Sequence, residues 1–354
     1  MRKLKIILAM PSHSNFAQPI QENLQHHDID VSFIDCSPEY QINIKLNYLH
    51  KIYHFFHKYL FLDPTYKVKA KNKIKEKIID DTIKRTMANR SVDFTLVIRP
   101  DLFSLQQLKM MKSATSDKLI GYQWNGLNRL PKTVQSINQF DQFYVFDPLD
   151  LSNDDYQKYH LQGTTNFYFD MYLPQPIAHE GVVAYFVGIH FDDRTATLEK
   201  CAQALLKQGI LLDFNILYFK KNKITSNTYQ CKTIKLITDS IKFDENIDRI
   251  NQSDILVDVV NPIHHGLSFR TFEALYYQKK LITNNSTVKD YDFYHPNNIL
   301  IWDGEDLSML GEFLRLPYHH IDDSIRDKYS FKNWIKNILN LEPYQKILLP
   351  NAKI

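Results

Sequence analysis

The stretch SDILVDVVNPIHHGLSFRTFEALYYQKKLITNN, residues 253–285, decides the fold. A continuous apolar run over 255–260 predicts a strand covered on both faces, as in a parallel sheet. A short loop carrying His264, His265 and Gly266 follows. Helical spacing takes over across 267–278, and 280–283 predicts the next strand, ending at Thr283-Asn284-Asn285. Strand, short loop, helix, strand is the repeating unit of a parallel α/β sheet.

The same residues suggest chemistry. A helix that begins near Leu267 or Ser268 presents free backbone N–H groups and the positive end of its dipole, a natural seat for phosphate. Ser268 can cap that helix or donate a hydrogen bond. Arg270, in the first turn, can clamp a diphosphate with two parallel hydrogen bonds. Glu273 can accept hydrogen bonds from a ribose diol. His265 and Glu273 are eight residues apart, roughly 12 Å along a helix at 1.5 Å per residue, so they could bracket opposite ends of a nucleotide-sugar. The plainer alternative pairs Arg270 with Glu273 as an i, i+3 surface salt bridge and leaves the histidines as ordinary loop residues.

Working outward, the second half repeats the alternation: strands over 182–187, 212–219, 233–237 and 298–302, with helices over 197–207, 244–251 and 306–315. The first half does the same, with strands at 4–10, 29–34, 93–98, 118–123 and 142–146. Residues 150–181 are irregular, carry Pro174 and Pro176, and read as a connection. The expected class is α/β, two Rossmann-like domains facing across a cleft. Domain 1–175 carries a basic helical insertion at 41–90, domain 176–325 follows, and 326–354 forms a helix (331–339) and a tail.

The 354 residues are enough for two domains, and a chain of this size needs neither disulfides nor structural metals to build a core. Cys36, Cys201 and Cys231 are scattered and odd in number, which excludes a disulfide framework and a zinc ribbon and points to the reducing cytosol. No apolar run approaches the ~20 residues of a membrane span. The basic, apolar start, Arg2 to Met10, is too short for a signal peptide and reads as the first strand. The formal charge of +3 is uneven: segment 41–90 holds twelve Lys and Arg against four acids, a net +8, leaving −5 for the remainder. Seven aromatic residues accompany that charge. The segment is read as a solvated helix pair or as a surface for anionic lipid head groups or a phosphorylated acceptor. No nucleic-acid motif accompanies it. His50, His54 and His57 share a helical face but lack further ligands, and no metal site is expected.

The pattern Ser253-Asp254, strand, His265-Gly266-Leu267-Ser268-x-Arg270-x-x-Glu273-Ala274-Leu275, then 279–284, resembles the donor-binding half of GT-B glycosyltransferases, nearest to bacterial enzymes of lipopolysaccharide core and capsular polysaccharide synthesis. Glu273 matches the second acid of the E-x7-E families, which binds the donor ribose. His265 stands where their first acid would fall, a departure from the pattern. Tyr122 to Asn125, Phe140-Asp141 and Phe146-Asp147 extend the resemblance into the first half. It implies an N-terminal acceptor domain, a C-terminal donor domain and a terminal helix crossing back to the first.

On that resemblance the expected activity is transfer of a sugar, hexosyl or Kdo-type, from a UDP, GDP or CMP sugar to a lipid-linked or surface-polysaccharide acceptor. No cofactor or metal is implied, because helix dipole and cationic side chains stabilise the leaving diphosphate. The donor set is Gly188, Arg194, His264, Gly266, Leu267, Ser268, Arg270 and Glu273, with a surface role as the alternative for Arg194. His13, Asp101 and His265 are the catalytic candidates. A cytoplasmic enzyme, peripheral at the inner face of the plasma membrane through 41–90, is expected. A sugar-nucleotide epimerase or hydrolase on the same scaffold, or a non-catalytic nucleotide- or saccharide-binding protein, are the alternatives.

Overall fold

The computed structural model describes residues 2–13, 15–40, 65–88, 91–175, 177–219, 224–225, 228–260 and 265–350. His264, Pro176 and the triad His50, His54 and His57 lie outside the described residues. So do all of residues 41–64, whereas 66–87 is described as one long helix, Tyr66–Met87.

Two six-stranded sheets organise the chain. The first holds β1 (Lys5–Met10), β2 (Asp30–Asp35), β3 (Val92–Ile98), β4 (Thr115–Gln123), β5 (Gln142–Val145) and β6 (Gln162–Gly163), in the order β2-β1-β3-β4-β5-β6. The second holds β7 (Val183–Ile189), β8 (Leu211–Leu217), β9 (Lys235–Ile237), β10 (Ile255–Asp258), β11 (Lys280–Thr283) and β12 (Ile299–Ile301), in the order β12-β11-β10-β7-β8-β9. The pairings of β1 with β2 and β3, and of β10 with β7 and β11, are all parallel. Parallel strands buried on both faces explain the unbroken apolar runs: Ile7, Leu8, Ala9 and Met10 are fully buried.

Each sheet reverses its winding once, between β1 and β3 in the first and between β7 and β10 in the second. In open α/β sheets the crevice at that switch, beyond the carboxyl ends of the strands, is where ligands bind. The switch in the second sheet brings the loop after β7 beside the loop after β10. Gly188 lies near the end of β7 and Arg194 in the turn that follows it, while Ser268 precedes and Arg270 and Glu273 belong to the helix Phe269–Tyr276 after β10.

By contacts, Met1–Gln123 with Leu130–Tyr144 form one compact unit, and Trp124–Arg129 with Val145–Ile354 form the other. Residues 145–175, grouped with the first domain on sequence, thus sit with the second unit. An aromatic cluster accounts for this. Phe167 packs on Phe269, Phe331 and Trp334, with ring centroids 5.2, 5.1 and 4.3 Å away. Tyr168 stacks on Tyr276 at 4.1 Å, and its backbone bridges Tyr329 and Phe331. The terminal helix Phe331–Leu339 is therefore anchored on 167–169, the same residues that pack on Phe269 and Tyr276. The core of the second sheet is separate from this cluster and centres on Phe186, Phe214, Leu198, Leu205, Val257 and Trp302.

Candidate functional site

Ser268 caps the helix Phe269–Tyr276, its hydroxyl oxygen accepting from the Arg270 backbone N–H at 3.1 Å. The same hydroxyl donates to Asp258 Oδ2 at 2.7 Å, tying the helix start to the end of β10. Arg270 points back over the Tyr185 ring, its guanidinium 5.0 Å from the centroid. Its Nη1 lies 3.2 Å from Glu273 Oε2. The i, i+3 pair therefore forms, but not at the surface: Glu273 is only 7% exposed. Asn246 Nδ2 donates to the other Glu273 oxygen at 3.2 Å. Burial pushes the Glu273 carboxyl up, opposed by the Arg270 charge and by the Asn246 bond.

Arg194 enters from the other side of the switch. It follows β7, and its Nη1 donates to the Val259 carbonyl at 3.1 Å while Nη2 donates to the Ile189 carbonyl. The guanidinium lies 5.6 and 5.1 Å from the Phe186 and Phe191 ring centroids. It occupies the space that a Cβ on Gly188 would need, since such an atom would meet Arg194 Nη2 at 2.8 Å. His190, with Tyr229 on one ring nitrogen and Asp192 on the other, both at 2.9 Å, pins the turn that carries Arg194.

Asp258 faces both arginines. Burial pushes its carboxyl up, opposed by the Ser268 hydroxyl, Arg270 and Arg194. Two arginines and two carboxylates thus share the switch point. Even so, Arg194 Nε and Arg270 Nη1 are buried and have no hydrogen-bond partner among the described residues. The approach of Nη1 to Glu273 is close but not aligned as a hydrogen bond. Buried guanidinium N–H groups left unmade are costly and call for an anionic acceptor.

The loop before the helix is held from several sides. Gly266 lies so close to Phe146 that a Cβ would fall 2.4 Å from its ring and 2.6 Å from its carbonyl oxygen. The His265 N–H donates to Asp147 Oδ2 at 3.1 Å, and the His265 carbonyl accepts from Thr287 Oγ1 at 2.7 Å. Asn285 Nδ2 donates to the Gly266 carbonyl at 3.1 Å, and Asn166 Nδ2 to the Leu267 carbonyl at 2.9 Å. The Leu267 side chain is buried in the core. His265 Nδ1 is buried without a hydrogen-bond partner, 4.0 Å from Asp147 Oδ1.

The remaining candidates stand at the switch of the first sheet. His13 follows β1, and its Nδ1 lies 2.9 Å from Ser37 Oγ. Burial pushes its imidazole below the usual histidine range, with Asp35 pulling the other way. Asp101 follows β3 and is held by Arg99 through two hydrogen bonds of 2.8 Å, with Gln123 Nε2 adding a third at 2.9 Å. Arg99 sits in the left-handed region (φ 63°), which turns its side chain back onto Asp101, and its charge reaches His13.

Sequence reasoning missed Asp258, Asn246 and Tyr185 around the donor site, and Asp35, Ser37 and Arg99 around His13. A usable signal existed for two of them. Asp258 interrupts an otherwise apolar strand, and Asp35 closes one, both at the carboxyl end where ligands bind. Among the described residues, no group of three His, Cys, Asp or Glu side chains could hold a metal.

No protein-family model matches the sequence, and no curated protein matches it. Solved structures do match along nearly the whole chain. A UDP-N-acetylglucosamine 2-epimerase is 8% identical, covers 98% of this chain and 100% of its own, and superposes with a TM-score of 0.51. The lipopolysaccharide outer core galactosyltransferase WaaB, in its apo form, is 12% identical over 96% of this chain and 99% of its own, with a TM-score of 0.50. The S. aureus MnaA–UDP co-structure is 10% identical over 98% and 100%, with a TM-score of 0.51. With its two parallel sheets, each with one switch point, the chain has the two-Rossmann-domain GT-B fold shared by glycosyltransferases and UDP-N-acetylglucosamine 2-epimerases.

Proposed function

We propose that this protein is a metal-independent glycosyltransferase, moving a sugar from a nucleotide-sugar donor to a lipid-linked or surface-polysaccharide acceptor in lipopolysaccharide or capsule assembly. The observation that carries this reading is the pair of buried, unmade guanidinium N–H groups, Arg194 Nε and Arg270 Nη1, beside a capped helix start at a sheet switch point. A diphosphate supplies the oxygens these groups lack. As the sugar–phosphate bond breaks, negative charge gathers on the departing oxygen, and cations already in place stabilise it without reorganising. Glu273, held by Asn246 and Arg270, accepts from the ribose hydroxyls. UDP is the first donor to test, because MnaA carries UDP on the same fold.

His13 is the acceptor-side base. Its lowered titration keeps the imidazole neutral at pH 7, able to take a proton. Asp101 is committed to Arg99 and Gln123 and serves as their anchor. The helix Tyr66–Met87 exposes Lys67, Lys69, Lys71, Lys73 and Lys77, which supports a peripheral seat on anionic lipid at the inner face of the plasma membrane. Among the described residues, no helix is long and apolar enough to cross a membrane.

The test is donor consumption with candidate acceptors, together with isothermal titration of UDP, GDP and CMP sugars. Acceptor-dependent turnover and strongly weakened donor binding in Glu273→Ala are expected. Sugar released or converted without an acceptor would assign the chain to an epimerase or hydrolase. Binding without turnover would make it a nucleotide- or saccharide-binding protein.

A further inference from the structure

Glu273 is reached by a chain of hydrogen bonds that begins at a buried phenol. Tyr185 lies on β7 and has no exposed surface. Its hydroxyl donates to Asn246 Oδ1 at 3.0 Å. Asn246 stands on the helix Phe243–Asn251, and its Nδ2 donates to Glu273 Oε1 at 3.2 Å. The other Glu273 oxygen lies 3.2 Å from Arg270 Nη1. All four residues belong to the second compact unit.

The two ends of an amide differ: the oxygen only accepts and the nitrogen only donates. Turned end for end, Asn246 would set its oxygen against Glu273 Oε1. No hydrogen lies between those two oxygens unless the carboxyl is protonated. The same turn would aim the amide N–H at the Tyr185 oxygen and take away the acceptor of the phenol hydrogen. Among the described residues, Asn246 is the partner the structure gives that hydroxyl. A buried donor left unmade costs free energy, so the turned amide is disfavoured. Every hydrogen along the chain finds an acceptor when Glu273 is a carboxylate.

We propose that Tyr185, acting through Asn246, locks Glu273 in the acceptor-only carboxylate form that takes the ribose hydroxyls of the donor. Both are positioning residues, and the inference rests on the reading of Glu273 as the ribose-binding acid. The lock works against its surroundings. Burial favours the neutral acid and Asp258 reinforces it, while Arg270 and Asn246 oppose it. Tyr185 and Tyr277 also face the carboxyl, and Arg249 and Asp213 face Tyr185 from their own elements. A protonated Glu273 would spend its hydrogen on the turned amide and lose the charge that strengthens bonds from the ribose.

The experiment compares UDP with 2′,3′-dideoxy-UDP by calorimetry, in the wild type and in Tyr185→Phe. Phenylalanine keeps the ring beside Arg270, whose guanidinium lies 5.0 Å from its centroid, and removes only the hydroxyl. The ratio of the two affinities isolates the ribose hydroxyls and cancels the titration of the phosphates. Tyr185→Phe should keep the wild-type ratio at about pH 8 and lose about tenfold of it, relative to wild type, at about pH 6. Infrared spectra at the lower pH should show a protonated-carboxyl band stronger than in the wild type and missing from Tyr185→Phe/Glu273→Gln. In an Asn246→Leu background, which lacks the relay, Tyr185→Phe should change neither readout. A ratio that follows the wild type throughout, or falls equally at both pH values, would overturn the proposal. So would a spectrum with no added band, or a further change in the Asn246→Leu background. An unmoved ratio in Glu273→Ala would instead defeat the ribose reading and leave the infrared result standing.

Discussion

The two switch points use the same topology in opposite ways. At the first, charged side chains close on themselves: Asp35 accepts from four donors, and Asp101 is gripped by Arg99 and Gln123. What is left unmade there is a neutral acceptor, Gln123 Oε1. At the second, cations are packed among buried carboxyls, and what is left unmade is donor hydrogen on Arg194 and Arg270. A satisfied network fixes orientation, and an unsatisfied cationic one awaits an anion. On the proposed function, the first handles a hydroxyl proton and the second holds a diphosphate.

That contrast breaks most visibly through Arg270. Arg270→Ala removes charge-assisted bonds worth about 1.5–3 kcal/mol each, so UDP affinity by calorimetry should fall roughly 100-fold. Asp101→Ala, at the other switch, should leave that affinity unchanged. An equal loss in both variants would erase the distinction between the two switch points.

The next effect sharpens it through pH. Burial pushes the Asp150 carboxyl up to about 7, opposed by its hydrogen bond from Leu127 and reinforced by Asp147. The folded value lies above the ordinary carboxyl value of 3.8, so the native state holds the proton more tightly than the unfolded chain. Relative stability is full below about pH 4 and is lost as pH rises through about 7. Asp150→Asn should therefore raise the Tm at pH 8 and flatten its dependence between pH 4 and 8. The gain is roughly 2–3 kcal/mol after the loss of one acceptor. A parallel pair of Tm curves would remove burial of this carboxyl as a feature of the second unit.

The smallest effect compares two caps. Ser268→Ala and Ser104→Ala each remove an N-cap and should each cost about 1 kcal/mol in denaturant unfolding. Only the first should also weaken UDP binding, because only Ser268 ties its helix to Asp258.

Much of this arrangement was legible in the sequence, for a physical reason. Buried parallel strands need continuous apolar runs, and all five strands read in the first half and the strands at 182–187, 255–260 and 280–283 stand in the structure within a few residues. The helix start at Ser268 was legible because capping is local chemistry. What escaped was set by distant partners. Asn246 reaches Glu273 from another helix, and Tyr185 reaches Arg270 from another strand. Their spacing along the chain carries no trace of those contacts. The two-residue β6 and the short helix Asp323–Lys328 escaped because neither is long enough to show a period. The placement of 145–175 escaped because aromatic packing on Phe331 and Trp334, and not any local break, decides it.

Gly188 has a practical consequence. The hydrogen it bears in place of a methyl is the vacancy in which the Arg194 guanidinium rests. One added carbon at this position would displace the guanidinium tip while altering no charge. Gly188→Ala thus offers a way to shift one guanidinium of the proposed phosphate seat without removing it, a reference against which ligand-dependent signals in the rest of the protein can be read.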